Sequence, residues 1–86
     1  MSYFVYILEC SDGSLYTGIT KDVKKRLDEH NSSHKGAKYT KARRPVKLVH
    51  EEPSSDRSSA SKREYAIKKL SRLKKLQLIQ KTLYYN

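Results

Sequence analysis

One carboxylate stands in an unexpected place within the most basic part of the chain. Residues 62–75 contain seven lysines and arginines but a single acid, Glu64. On a helical wheel, Glu64 falls within about 60° of Ala60 and Ile67 and so belongs to the apolar stripe. A carboxylate taken out of water without a partner costs several kcal/mol. Glu64 therefore either pairs with Arg26 or a nearby lysine, or lies in a cleft where a metal ion can bind.

Two phenols form the second group that could do chemistry. Tyr6 and Tyr16 lie in the stretch FVYILECSDGSLYTGIT, in two apolar runs separated by a turn. They could serve a reaction site, or they could be the edge of an amphipathic core, since tyrosine is common in strands. Gly18 follows closely, and it would either admit a close approach by backbone or substrate or mark a bulge.

The elements that carry these tyrosines are predicted to form a hairpin. Residues 3–10 and 14–20 are rich in strand-forming residues. A three-residue turn over 11–13, with Gly13 at positive φ, places Tyr6 opposite Gly18 and both tyrosines on one face. The opposite face is then aliphatic and suited to packing under helices, with Val5, Ile7, Leu15 and Ile19. A two-residue turn would divide the tyrosines between the faces, so we favour the first register.

A helix is expected over residues 21–31, beginning near Asp22. Its apolar repeat consists of Val23, Leu27 and His30. Arg26 and His30 are four residues apart, so they lie one turn apart on the same side. His30 could be a hydrogen-bonded structural residue, and Arg26 a solvated charge or the partner of Glu64.

The rest of the chain reads as a loop over 32–45, a strand over 46–52, and two helices. Asp56 or Ser55 is the expected cap of the helix over 57–70. The last helix covers about 72–83, with an expected apolar side of Leu73, Leu76 and Leu83. We predict an α+β fold in one domain, 1–86, with a three-stranded antiparallel sheet and about three helices.

The charge of the chain points to a polyanionic partner. Nineteen lysines and arginines oppose nine acids in 86 residues, a net charge of +10, and residues 35–47 hold six basic residues and no acid. Clustering of this kind favours nucleic acid over a protein that is merely basic. The lone Cys10 and the lack of an 18-residue apolar run predict a cytoplasmic protein with no membrane partner.

Several motifs together resemble the GIY-YIG nuclease family. VYI is followed ten residues later by YTG, and YTGITKDVKKRL looks like that family's second strand, turn and first helix with its arginine. Val5 stands where the first motif has glycine. Glu64 falls where the family keeps a glutamate on a later helix. The resemblance covers nearly the whole chain, and GAKYT and REYAIKKLSR resemble the small single-domain bacterial branch.

The resemblance implies metal-dependent hydrolysis of DNA phosphodiesters with one ion, Mg²⁺ or Mn²⁺. By position, Tyr6 and Tyr16 would be the catalytic phenols, Arg26 would contact the scissile phosphate, His30 would support Tyr6, and Glu64 would hold the metal. An arginine fork matches phosphate oxygens. A phenol with a pKa near 10 is a poor base at neutral pH, so Tyr6 would need activation by positive charge or by neutral His30.

DNA is the expected partner, with RNA second, in a structure-selective reaction of DNA repair or processing. The residues expected to hold nucleic acid are Lys21, Lys35, Lys38, Tyr39, Lys41, Arg43, Arg44, Lys62, Arg63 and Lys68. Two departures from the family pattern motivate an alternative. Ile19 stands where the excision-repair nuclease subunit has lysine, and no asparagine follows Glu64 until Asn86. The alternative is a nucleic-acid-binding protein that keeps the fold without catalysis.

Overall fold

The computed structural model of the protein describes residues 2–85, without the side chains of residues 82–85. The described elements are β1 (Tyr3–Glu9), β2 (Leu15–Thr20), α1 (Val23–Ser32), α2 (Lys38–Lys41), β3 (Lys47–Ser54), α3 (Arg57–Lys68) and α4 (Arg72–Tyr85). The three strands form one antiparallel sheet in the order β2-β1-β3. This confirms the predicted fold class and adds one short helix, α2, within the segment predicted to be a loop.

The β1–β2 hairpin has the predicted register. Gly13 adopts a φ of +84°, its N–H donates to the carbonyl of Cys10 at 2.9 Å, and the N–H of Cys10 donates to the carbonyl of Ser14 at 2.8 Å. Residues 11–13 therefore form the three-residue turn in which glycine takes the left-handed conformation. Tyr6 lies opposite Gly18 as a result.

The two faces of the sheet pack against different helices. One face carries Val5 and Ile7, which form a fully buried cluster with Ala60 and Ile67 of α3 and with Ile79 of α4. The other face carries a second buried cluster, next to which Leu27 of α1 packs: Tyr6, Leu8, Cys10 and Val46. The aliphatic face packs under helices, α3 and α4, as predicted, and the tyrosine face meets α1.

The segment between α1 and β3 is tied down by polar side chains of α1 and the following loop. Asp22 caps α1 by accepting from the N–H of Lys25 at 3.1 Å. The amide of Asn31 accepts from the N–H of Val46 at 2.7 Å and donates to its carbonyl at 2.8 Å. The two bonds of Asn31 hold the entry to β3 against α1.

The last two helices confirm one expectation and correct another. Asp56 caps α3 by accepting from the N–H of Ser59 at 2.7 Å. In α4, however, the buried residue is Ile79, whereas Leu73 is 66% and Leu76 38% exposed. The predicted apolar side of this helix is therefore wrong for those two leucines, and the side chain of Leu83 lies outside the described residues. Within residues 2–85, no helix has the length and apolarity needed to cross a membrane.

Candidate active site

Tyr6 reaches the site from the central strand by leaning across Gly18. A Cβ atom on Gly18 would lie 2.5 Å from Oη and 2.7 Å from Cζ of Tyr6. Only glycine leaves room for the phenol ring at this point of the adjacent strand. Because Gly18 lies on the edge strand β2, the Tyr6 ring points from the central strand towards the edge of the sheet. The group that approaches Gly18 closely is thus the phenol of Tyr6, whereas the sequence predicted backbone or substrate there.

A chain of hydrogen bonds joins Tyr6 to α1 and α2. The Tyr6 hydroxyl lies 2.8 Å from Nε2 of His30, and Nδ1 of His30 lies 2.7 Å from Oγ1 of Thr40. The Thr40 hydroxyl donates to the carbonyl of Ala37 at 2.9 Å. His30 and Thr40 are both fully buried. The imidazole is therefore held at both nitrogens, between the sheet and α2.

Two further aromatic rings, Tyr16 and Tyr39, lie beside this hydrogen-bonded chain. The Tyr16 ring centroid lies 5.1 Å from that of His30, with an edge-on geometry, and 6.4 Å from that of Tyr6. Tyr39 of α2 stacks on Tyr16 at 6.1 Å, and the guanidinium of Arg43 lies 3.8 Å from the Tyr39 ring centroid. The two phenols predicted to share a face are thus neighbours, and Tyr39 extends the aromatic surface.

Arg26 lies on the side of α1 that carries His30. Its Nη1 donates to Oε1 of Glu29 at 2.9 Å and to the carbonyl of Lys35 at 2.8 Å. These bonds hold the guanidinium near the Tyr6 phenol, where its hydrogen bonding and its charge both act to lower the pKa of Tyr6. The hydrogen bond from Arg26 also lowers the pKa of the Glu29 carboxyl. Arg26 is therefore a positioned cation beside the phenol.

Glu64 approaches the site from α3. Its neighbours on the helix face, Ala60 and Ile67, are fully buried, while the Glu64 side chain stays 22% exposed. Of the two expectations for its partner, the structure places Lys68 there, with Nζ 3.3 Å from Oε2. The Glu64 charge is also close enough to raise the pKa of Tyr6. The lone acid of this helix and the phenol of β1 thus share one electrostatic environment.

The residues around Glu64 suit an ion that takes few protein ligands. Among the described residues, no three His, Cys, Asp or Glu side chains come together as a metal site. Mg²⁺ is often held by one or two carboxylates, with water and substrate phosphate completing its coordination. A partly exposed carboxylate can supply one ligand of that kind, although Lys68 pairs with Glu64 and an ion bound there would have to displace it.

Burial controls the protonation of the two hydrogen-bonded rings. Loss of solvent raises the pKa of Tyr6 to about 12, with the nearby Tyr16 adding to the rise. Loss of solvent likewise lowers the pKa of His30 to about 4, with the positive charge of Arg26 acting in the same direction. At neutral pH the pair is therefore a protonated phenol and a neutral imidazole.

A groove of about 230 Å³ opens at the β2 edge beside this cluster. It is lined by Leu15, Tyr16, Thr17, Tyr39, Lys68 and Lys75. Its aromatic wall is shared with the site through Tyr16, and its basic wall comes from α3 and α4. A larger groove of about 410 Å³ runs along α1 and includes Asp22, Asp28 and Glu29 among its lining residues. The smaller groove is the one that borders the tyrosines.

The basic residues expected to hold nucleic acid divide into two groups. Arg43 forms an ion pair with Asp12 at 3.1 Å, and Arg63 forms one with Glu52. Arg44 donates to the carbonyls of α1, through Nε to His30 and through Nη2 to Ser33, both at 2.6 Å. These three arginines are engaged in holding the fold.

The lysines are more available to a partner than these arginines. Lys21 lies over the ring of Tyr3, with Nζ 5.3 Å from the ring centroid. Lys68 lies beside Glu64 and lines the groove. Those that are exposed at the surface include Lys35, Lys38, Lys41 and Lys62. The surface suited to contact a nucleic acid is therefore mainly one of lysines.

Thr40 is the site residue that the sequence did not reveal. It lies in the segment predicted to be a loop, and a single threonine among polar residues carries no periodic signal. Ile19, by contrast, explains one departure from the family pattern. It lies opposite Val5 and packs with the aliphatic cluster, on the sheet face turned away from Tyr6. Asn86 lies outside the described residues.

Comparison with known proteins identifies the family. The profile of the GIY-YIG catalytic domain matches residues 2–77, which is most of the chain. The protein therefore belongs to the GIY-YIG family, which is a family of nucleases.

Similar proteins come from several bacteria. The chain is 60% identical over 79 residues to a UPF0213 protein of Desulfotalea psychrophila, covering 92% of this chain and 72% of that protein. It is 64% identical over 77 residues to a UPF0213 protein of Syntrophus aciditrophicus, covering 90% and 88%. The solution structure of a UPF0213 protein from Bacillus halodurans matches with a TM-score of 0.59 at 50% identity, covering 93% of this chain and 84% of that one. A solution structure from E. faecalis matches with a TM-score of 0.65 at 45% identity, covering 100% and 90%.

Proposed function

We propose that this protein is a divalent-metal-dependent endonuclease that hydrolyses phosphodiester bonds of DNA in repair or processing. The observation that supports the proposal is the hydrogen bond of Tyr6 to the buried His30 beside Tyr16, with the charges of Arg26 and Glu64 both acting on the pKa of Tyr6. Hydrolysis of a phosphodiester is helped by a group that polarises the attacking water, a cation for the phosphate, and a metal ion. Tyr6, Arg26 and Glu64 are proposed to fill these roles, with Glu64 as the ligand of the ion.

Arg26 is proposed to bind the scissile phosphate. Its Nη1 donates to Glu29 and to the Lys35 carbonyl, and its hydrogen bonding also reaches the Tyr6 phenol. A guanidinium carries five N–H donors, so others can meet phosphate oxygens while Nη1 keeps the group oriented. A cation already held in position contributes to transition-state stabilisation without reorganising during the reaction.

Tyr6 is proposed to orient and polarise the attacking water by accepting a hydrogen bond from it, while its own hydroxyl donates to neutral His30 at 2.8 Å. With a pKa of about 12 for Tyr6 and about 4 for His30, the phenol keeps its proton, and the hydrogen bond to His30 makes the phenol oxygen a better acceptor. Tyr16, which packs edge-on against His30, would orient the water or the phosphate.

Glu64 is proposed to hold one Mg²⁺ or Mn²⁺ ion. Bound there, the ion would polarise the phosphoryl group as a Lewis acid. Neutralising Glu64 also removes one of the charges that raise the pKa of Tyr6. Lys68 would then lose its partner on α3 and become available to the strand in the adjoining groove.

Cleavage of labelled substrates tests this proposal. Duplex, nicked, flap, junction and single-stranded DNA, together with RNA, are incubated with Mg²⁺ or Mn²⁺. We expect metal-dependent cleavage of DNA by the native protein. Glu64→Gln and Arg26→Ala should lower the rate by at least about 100-fold, in line with the loss of one electrostatic group at a transition state.

Matched controls separate the site from general charge loss. Glu51 is an exposed carboxylate of β3, and Arg57 is an exposed arginine at the start of α3. Glu51→Gln and Arg57→Ala make the same chemical changes and should cleave at the native rate. Equal rates for Glu64→Gln and Glu51→Gln would remove Glu64 from the site.

Binding without cleavage under every metal condition would instead support the alternative of an inactive nucleic-acid-binding protein. The observation that favours this alternative is that, among the described residues, no three His, Cys, Asp or Glu side chains come together to hold a metal ion. Filter binding of the same substrates in EDTA distinguishes the alternative from a protein that does not bind nucleic acid.

A further inference from the structure

We infer that Thr40 is a positioning residue that fixes the tautomer of His30, so that the basic nitrogen of the imidazole faces Tyr6. The inference rests on the directions of three consecutive hydrogen bonds, Tyr6–His30–Thr40–Ala37. Its consequence for catalysis rests on the proposed nuclease function, whereas the tautomer itself does not.

The last bond of the series, between Thr40 and Ala37, determines which atom is the donor in each of the other bonds. The carbonyl of Ala37 can only accept, and it already accepts from the N–H groups of Thr40 at 3.1 Å and Lys41 at 3.0 Å. Oγ1 of Thr40 lies 2.9 Å from this carbonyl oxygen, and two oxygens at this distance require the hydroxyl proton between them. Oγ1 of Thr40 is then left with lone pairs only. Nδ1 of His30, 2.7 Å away, must therefore be the donor of that bond.

Because His30 is neutral, a proton on Nδ1 means that Nε2 carries none. Burial holds the pKa of His30 near 4, so at neutral pH the imidazole carries one proton only. With that proton on Nδ1, Nε2 is an acceptor, and the Tyr6 hydroxyl donates to it at 2.8 Å. The opposite tautomer would turn the Thr40 hydroxyl proton towards the ring and leave Oγ1 and the Ala37 carbonyl as two facing acceptors.

The position of Thr40 suits this role. It is fully buried in the four-residue helix α2, and its own N–H donates to Ala37 at 3.1 Å. The hydroxyl is thus fixed by its backbone, and no side-chain nitrogen or oxygen that is buried among the described residues lacks a partner. The reversed hydrogen-bonding directions would remove the proton between Oγ1 of Thr40 and the Ala37 carbonyl.

The tautomer is measured directly by two-bond ¹H–¹⁵N correlation spectra of the ¹⁵N-labelled protein at pH 7. We expect the His30 signals of the native protein to have the Nδ1–H pattern. In Thr40→Val, which has the same shape without the hydroxyl, Nδ1–H would be buried without an acceptor. We therefore expect the Nδ1–H pattern to be lost there and kept in Thr40→Ser.

Cleavage assays then connect the tautomer to catalysis. Thr40→Val should lower kcat about 10- to 100-fold with little change in KM, the range that oriented outer residues contribute at other sites. Thr40→Ser should restore most of the rate. A structural defect alone would not be rescued by serine while leaving KM unchanged.

Two results would overturn the inference. One is an Nε2–H pattern for His30 in the native protein, a measurement that needs no variant to fold. The other is an unchanged Nδ1–H pattern in folded Thr40→Val. If the tautomer behaves as expected but the native protein cleaves nothing, the nuclease proposal fails and the assignment of Thr40 as the residue that orients His30 stands.

Discussion

At the scale of single residues, protonation of His30 couples the site to the stability of the protein. The pKa of His30 falls from 6.5 to about 4 on folding, because burial disfavours the charged ring. Below pH 6.5 the unfolded chain takes up a proton here that the folded protein does not. The free energy of unfolding should therefore fall by up to roughly 3 kcal/mol as the pH drops from about 6.5 towards 4.

Urea unfolding at pH 7.0 and 5.0 checks this prediction. His30→Gln should lose most of the pH dependence in this interval, and His34→Gln, which changes an exposed histidine, should keep it. An NMR titration of the native protein supplies a test without substitution, since the His30 ring should stay neutral at pH 5. A His30 midpoint near 6.5 would contradict the prediction.

Residue types and spacing were enough to predict the elements that carry the candidate site residues, but not the residue that supports His30. Tyr6, Tyr16, Arg26 and Glu64 stand in segments with clear strand or helix periodicity, so their faces could be deduced. Thr40 could not be found this way, because its role depends on a hydrogen bond to a residue ten positions away.

At the scale of elements, the hairpin accommodates the Tyr6 phenol only because Gly18 has no side chain. In Gly18→Ala, the new methyl group would overlap the Tyr6 phenol at 2.5–2.7 Å. We expect a loss of about 1–3 kcal/mol in unfolding free energy, typical of overpacking, and loss of the Tyr6–His30 contact. Thermal or urea unfolding measures the first effect.

A double-mutant cycle identifies the cause. In a Tyr6→Leu background the ring is absent, so Gly18→Ala should cost clearly less than in the native background. An equal cost in both backgrounds would mean that the overlap with Tyr6 is not the reason for glycine at this position.

Arg44 shows how a basic residue of the loop before β3 serves an element rather than a ligand. Its guanidinium closes the carboxyl end of α1 by donating to the carbonyls of His30 and Ser33. Arg44→Gln should destabilise the protein by about 1.5–3 kcal/mol, as expected for hydrogen bonds that involve a charged group. Lys41→Gln, an exposed change in the same segment, should leave stability within about 0.5 kcal/mol. Equal free energies of unfolding for Arg44→Gln and Lys41→Gln would contradict the structural role of Arg44.

The elements differed in how far the sequence determined them. The hairpin register was predictable because Gly13 and the aliphatic alternation of the strands select the same pairing. The short helix α2 was not, since it has four residues and no side-chain cap. In α4 the leucines are spread around the helix, so periodicity alone did not identify Ile79 as the buried residue.

At the scale of the whole molecule, the net charge of +10 should govern affinity for DNA. Because three arginines are engaged within the fold, we expect lysines near α2 to make phosphate contacts. Lys38→Gln and Lys41→Gln should each lower the log–log salt slope of binding by about 1. Fluorescence anisotropy with labelled DNA between 50 and about 200 mM salt covers the useful range.

Lys24→Gln is the matched control for this measurement. Lys24 is exposed on α1 and borders the groove that lies away from the tyrosines. Lys24→Gln removes the same charge as the other two substitutions and should leave the log–log salt slope of binding nearly unchanged. A decrease of similar size in all three variants would show that net charge, and not the α2 surface, determines binding.

The bonds from Tyr6 through His30 to Thr40 join three separate elements, β1, α1 and α2. These bonds are part of the fold, so the entropy cost of ordering the three side chains is met during folding. The same linkage means that the site cannot loosen while the tertiary structure persists. Heat should therefore abolish activity at the unfolding midpoint itself, with no milder temperature at which an intact but inactive protein accumulates.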